Sequence, residues 1–209
     1  MLKITRAIFL FLSYIFVAQV FAQTDQAPPQ NNWGLAYFHG WMTDNNILPL
    51  IFMHDVKFEY GTTNFLDLSH TLSPDNPIRH FLQPIASSVE FANEFGVRND
   101  PNGTIYEGDT YLMLRWEKFP WDKYVINTFG LGDGLSYVTS IPLREEQNSS
   151  NNDPKRLLNF LAVETTIALP KYPDTSLVVR IHHRCGAWGL FGAGNLSSND
   201  FEVGMRYRF

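Results

Sequence analysis

One cysteine, Cys185, stands alone in a chain of 209 residues, so no disulfide can form within it. A small secreted scaffold held by cross-links is thereby excluded. Cationic excess is lacking as well: 16 Lys and Arg face 21 Asp and Glu, for a net charge of −5. That balance argues against a nucleic-acid partner. After the N-terminal region no apolar run approaches the length a helix needs to cross a bilayer. His39, His54, His70, His80, His182 and His183 show none of the spacings of a metal site. Gly130-x-Gly132-x-Gly134 has neither the helix nor the βαβ context of a nucleotide loop. No metal and no cofactor is expected from the sequence. Aromatics, by contrast, are abundant, with 17 Phe, 9 Tyr and 5 Trp.

The N-terminus reads as a secretory signal. Lys3 and Arg6 supply the positive start, Ala7 to Ala18 the apolar run and Val20-Phe21-Ala22 a small-residue cleavage site. The expected division is a signal peptide over 1–22, a flexible polar lead-in over 23–32 and one domain over 33–209. Losing Lys3 and Arg6 leaves 14 Lys and Arg against 21 Asp and Glu. An exported chain with many aromatics, mean hydropathy near zero and no helical span has the composition of a transmembrane β-barrel. A β-sandwich shares that composition, so the pattern along the chain must choose.

A period of two predicts eight strands: 33–41, 58–72, 85–96, 109–117, 124–138, 156–169, 176–186 and 200–209. The last separates its faces most completely. Phe201, Val203, Met205, Tyr207 and Phe209 lie opposite Asp200, Glu202, Gly204, Arg206 and Arg208. Leu112, Leu114, Val179 and Ile181 join the apolar parity. Glu90, Glu94, Asp109, Arg115, Glu117, Arg180 and Arg184 fall on the other, where both signs can pair. Gly61 is a candidate bulge. Asp133 sits on the apolar parity, its direction uncertain among flanking glycines. Connections after strands 1, 3, 5 and 7 run to 11–17 residues and those after strands 4 and 6 to about six, with a longer exception after strand 2. An even strand count, loop asymmetry and an export signal give the expected fold, an all-β, eight-stranded antiparallel outer-membrane barrel. A soluble sandwich would wet the charged parity instead. Trp33, Trp41, Trp116 and Trp121 fall near strand ends, where interfacial aromatics belong.

The seventh strand, Ser176 to Gly186, carries the candidate chemistry. Leu177, Val179, Ile181, His183 and Cys185 share its outward face. With the N-terminus in the periplasm, odd strands run outward, so His183 and Cys185 reach the external rim on the lipid side. An imidazole two residues from a thiol on one face lets a proton pass between them. His182 points inward and is expected among Arg180, Arg184 and Glu202 as structure.

Arg180-Ile-His-His-Arg-Cys-Gly186, followed by a loop and a last strand Asn199-Asp-Phe-Glu-Val-Gly-Met-Arg-Tyr-Arg-Phe209, resembles the lipid A 3-O-deacylase family of outer-membrane barrels. The likeness is at motif level over this last part and in strand count and spacing elsewhere. It implies an outer-membrane esterase that removes an ester-linked acyl chain from lipid A. His183 takes the place of the family's base and Cys185 that of its serine nucleophile. Thiolate–imidazole pairs are competent acyl nucleophiles. The family's orienting Glu has no counterpart in Asn195-Leu-Ser-Ser-Asn-Asp200. The candidates are Asp200 and Glu202, near the right rim but on the inner parity, and Asp133, with the right parity but two strands away. The implied partners are lipopolysaccharide and, through the terminal Phe209, the barrel-assembly machinery. The alternative is a non-catalytic outer-membrane barrel with a structural or adhesive role. A third reading is a soluble periplasmic lipid-binding barrel.

Overall fold

A computed structural model describes residues 32–149, 154–194 and 196–209. The expected signal peptide and all but Asn32 of the lead-in lie outside the described residues. Eight antiparallel strands close into a barrel in sequence order: β1 (Trp33–Thr43), β2 (Phe58–Thr71), β3 (Ser88–Asp100), β4 (Gly103–Trp116), β5 (Ile126–Val138), β6 (Leu157–Ala168), β7 (Thr175–Cys185) and β8 (Ser197–Arg208). β8 returns to pair with β1. Trp33 and Phe209 exchange two backbone hydrogen bonds, of 3.1 and 2.9 Å, at that seam. Closure matters because lipid offers no partner to an unpaired strand edge.

The parity of the sequence sets the two surfaces. Leu35, Leu66, Leu68, Phe91, Leu177, Met205 and Tyr207 are exposed on the outer wall, a band that only a lipid environment covers. Leu112, Leu114, Val179 and Val203 take the same side, half-buried by neighbours. Inside, arginines and carboxylates fill the lumen. Arg115 holds Glu90 and Glu164 at 2.7 and 2.6 Å, and Arg206 reaches Glu90 at 2.7 Å. Arg180 bonds Glu202 at 2.8 Å and also Glu94, with its guanidinium 3.7 Å over the Phe38 ring. Arg98 joins Glu107 and, at 2.6 Å, Asp200. The interior is a packed ionic core rather than a channel.

Four connections gather at the end away from the termini. They are 44–57 with α1 (Ile47–Ile51), Pro101–Asn102, the described residues of the β5–β6 connection with α3 (Leu143–Gln147), and those of the β7–β8 connection with a 3-10 turn (Ala187–Gly189). α3 lowers Glu145 into the mouth, where it accepts from Arg184 Nε and Ser198 Oγ, both at 2.8 Å. At the terminal end lie 72–87 with α2 (Pro77–Leu82), 117–125 and 169–174.

The expected long loop after strand 3 is corrected to a two-residue hairpin. Asn99 to Gly103 breaks local propensity, yet Arg98, Asp100, Ile105 and Glu107 continue the inward alternation. The ladder therefore runs to the turn itself, where Gly103 takes φ +121° and Asp100 Oδ1 accepts from Asn102 N at 2.9 Å. Gly61, with φ +147°, lies at the irregularity opposite Trp41–Thr43. The β5 glycines make room, as a Cβ on Gly130 would stand 2.7 Å from Glu164 Cγ. They do not bend the strand, whose register with β4 and β6 is unbroken. Asp133 accordingly faces out.

Candidate functional site

Near the loop end the outer wall carries an unusual polar row. Register places Asp133, Leu161, His183 and Asn199 side by side across β5 to β8, with Asn159 opposite Cys185 one step further up. His183 and Cys185 share the outward face of β7, as their spacing requires.

Asn199 is the residue that holds His183, with 2.6 Å between Asn199 Oδ1 and His183 Nδ1. Its amide cannot point the other way. Asn199 Nδ2 donates to the Asn45 carbonyl at 2.8 Å, so the oxygen must face the ring. A ring nitrogen facing an acceptor carries the hydrogen. Nδ1 is therefore N–H, and Nε2 keeps its lone pair for a proton. Asn45 is itself fixed, donating to the Asp55 carbonyl at 2.8 Å and accepting from Lys57 N at 2.6 Å. Cys185 Sγ lies 3.6 Å from Asn159 Oδ1, to which its thiol donates. Asn159 Nδ2 in turn gives hydrogens to Asp133 Oδ1 at 3.0 Å and to the Gly134 carbonyl at 2.9 Å.

None of the three expected carboxylates touches His183. Asp200 and Glu202 face the lumen, engaged by Arg98 and Arg180, because the parity that sends His183 outward sends them inward. Asp133 has the right face but reaches only Asn159. The sequence did carry the missing signal. Continuing the outward parity of β8 back from Phe201 gives Asn199, and the β7–β8 register sets it against His183. A search confined to acids passes over it.

α1 sits beside this row. Leu50 is fully buried under it, while Leu48, Phe52 and Met53 stay 62%, 75% and 59% exposed. His182 points into the barrel. It meets Glu202, as expected of it, together with Glu94 and Glu107.

No family model matches the chain, and no curated protein sequence matches it. Among solved structures, the outer membrane enzyme PagL is similar with a TM-score of 0.52 at 11% identity, covering 84% of this chain and 99% of that one. Neisserial surface protein A gives 0.47 at 10% identity, over 85% and 97%. The N-terminal barrel domain of Pseudomonas aeruginosa OprF gives 0.44 at 10%, over 86% and 98%. The chain has the fold of a small outer-membrane barrel. A shared fold at this identity speaks for the architecture alone; chemistry must be argued from the site.

Proposed function

We propose that this chain is an outer-membrane esterase that removes an ester-linked acyl chain from lipid A. The observation that carries the reading is the oriented imidazole: Asn199 holds His183 through Nδ1, on the same outward face as the Cys185 thiol. Cysteine, histidine and asparagine in these roles form a known nucleophilic constellation. Three further features support it. The site lies on the lipid side of the wall, near the loop end; a polar group there is costly unless it serves a purpose; and an apolar helix, α1, lies beside it.

His183 Nε2 takes the thiol proton as Sγ attacks the ester carbonyl. The C–O bond then breaks, the sugar hydroxyl leaves with that proton, and a thioester remains. Water deprotonated by His183 releases the fatty acid and restores the thiol, so atoms and charge balance. One contact favours the rival reading of a barrel without chemistry. The thiol gives its hydrogen to Asn159 rather than to His183, so that bond must break before Cys185 reacts.

Mass spectra of lipid A from cells with and without the chain decide between the two. Wild type is expected to remove one acyl mass, and Cys185→Ala and His183→Asn to leave lipid A intact. Identical spectra for all three, with each protein present in the outer membrane, select the non-catalytic barrel.

A further inference from the structure

The lumen holds more acid than its arginines can neutralise. Among the described residues, ten carboxyl groups are buried with five arginines and one histidine. Most of the acids have a visible partner. Asp109 does not: it forms no ion pair, is 3% exposed, and neither of its oxygens has a hydrogen-bond partner. Ser136 faces it across the β4–β5 ladder but gives its hydroxyl hydrogen to Glu107, at 2.7 Å. A carboxylate buried without a partner is strongly disfavoured in a protein interior.

Two other unsatisfied atoms lie close by. Glu94 Oε1 forms no hydrogen bond although Oε2 is held by Arg180, and the fully buried His182 Nδ1 forms none either, the two atoms facing one another at 3.5 Å. The ring's orientation is locked. Phe65 stacks on it at 5.0 Å and Phe160 meets it edge-on at 4.8 Å. Nε2 lies 3.2 Å from Glu107 Oε1 and 3.4 Å from Arg98 Nη2. The carboxylate is the nearer and can only accept, so Nε2 carries the hydrogen, while Nδ1 faces the Oε1 atoms of Glu94 and Glu202, each at 3.5 Å, where a metal ion would take the place of its proton. A carboxylate on the far nitrogen is the usual arrangement behind a metal-bound histidine.

We propose that Glu94, Asp109 and His182 bind one divalent transition-metal ion, zinc by preference, in the centre of the barrel. One potential ligand atom from each lies within 4.8 Å of the others. His182 Nδ1 is 3.5 Å from Glu94 Oε1. Bonds of about 2.0–2.2 Å in a tetrahedral site put neighbouring ligand atoms roughly 3.3–3.6 Å apart, so this edge is already in place. Imidazole with carboxylates suits zinc and excludes the all-oxygen preference of calcium and magnesium. Asp200 and Glu202 form a second possible trio with His182. Each, however, has its own arginine, Arg98 or Arg180. Asp109 therefore places the ion on the β3–β4 side. No spacing along the chain reveals it, because the ligands come from β3, β4 and β7 and meet only through the lumen. The ion would pin three strands together and offset the acid excess, independently of chemistry on the outer wall.

The test uses the full chain extracted in detergent without chelator, assayed for metal by mass spectrometry. The protein is then refolded in EDTA and titrated with zinc alone. The expected result is close to one zinc per folded chain and a higher unfolding temperature with zinc than without. Asp109→Asn, which keeps the shape and drops the charge, is expected to fold, as judged by heat-modifiable gel mobility, and to bind zinc weaker by an order of magnitude or more. His54→Ala, in the exposed β1–β2 loop, is expected to bind like wild type. Wild type without metal and without a zinc-dependent shift overturns the proposal; His182 is then an imidazolium among carboxylates. Undiminished binding by Asp109→Asn, or binding lost in His54→Ala, overturns it in favour of a surface ion.

Discussion

Asn199 divides the labour at the outer rim. Its amide oxygen fixes the tautomer of His183, and its amide nitrogen ties β8 to Asn45 in the loop that carries α1. An amide orients an imidazole without adding the negative charge that a carboxylate would bring. Asn199→Ala is expected to lower deacylation at least tenfold while the barrel still folds, read by lipid A mass spectra beside gel mobility. Equal activity in that variant removes Asn199 from the site. Cys185→Ser restores the residue of the family this stretch resembles and is expected to keep or raise activity. Undetectable turnover by a folded Ser variant would tie the reaction to the thiol. His182→Asn is expected to lower stability through the lumen, by roughly 3–5 kcal/mol if it strands a buried charge. It should leave the chemistry of folded molecules intact.

At the scale of elements, β8 shows how one strand serves two solvents. Glu202 and Arg206 build the ionic core while Val203 and Met205 meet lipid. Val203 pairs with His39 on one side and Val179 on the other, near the middle of the wall. Val203→Arg is therefore expected to cost about 2–4 kcal/mol, the depth-dependent penalty for a lipid-facing arginine. Refolding into vesicles over a denaturant series measures it, and a cost near zero would mean that this face does not meet hydrocarbon. The β3–β4 hairpin was illegible for a local reason. Asn, Asp, Pro and Gly announce a turn but not its length, and only pairing as far as Asp100↔Gly103 fixed it. α2 escaped notice in the same way. The Pro-rich turn before it conceals an N-cap, in which Asn76 Oδ1 accepts from Ile78 N at 2.9 Å.

The whole molecule is a closed ladder, sealed where β8 meets β1. Phe209 pairs with Trp33 through the backbone, and its ring lies stacked 6.2 Å from Tyr207 on the outside. The two roles separate in Phe209→Ala, which keeps the backbone bonds and removes the aromatic ring. It is expected to lower insertion in cells while refolding in detergent stays close to wild type; equal insertion would free the terminal aromatic of any part in recognition by the assembly machinery. Strand number, the two faces of the wall and the outward placement of His183 and Cys185 were legible in the sequence. A period of two is a property of the chain itself, and lipid and lumen sort its residues without further instruction. The partner of His183, the length of the third connection and the meeting of Glu94, Asp109 and His182 were decided by tertiary structure. Each depends on register between strands or on reach across the lumen, and those distances come into being only when β8 closes on β1.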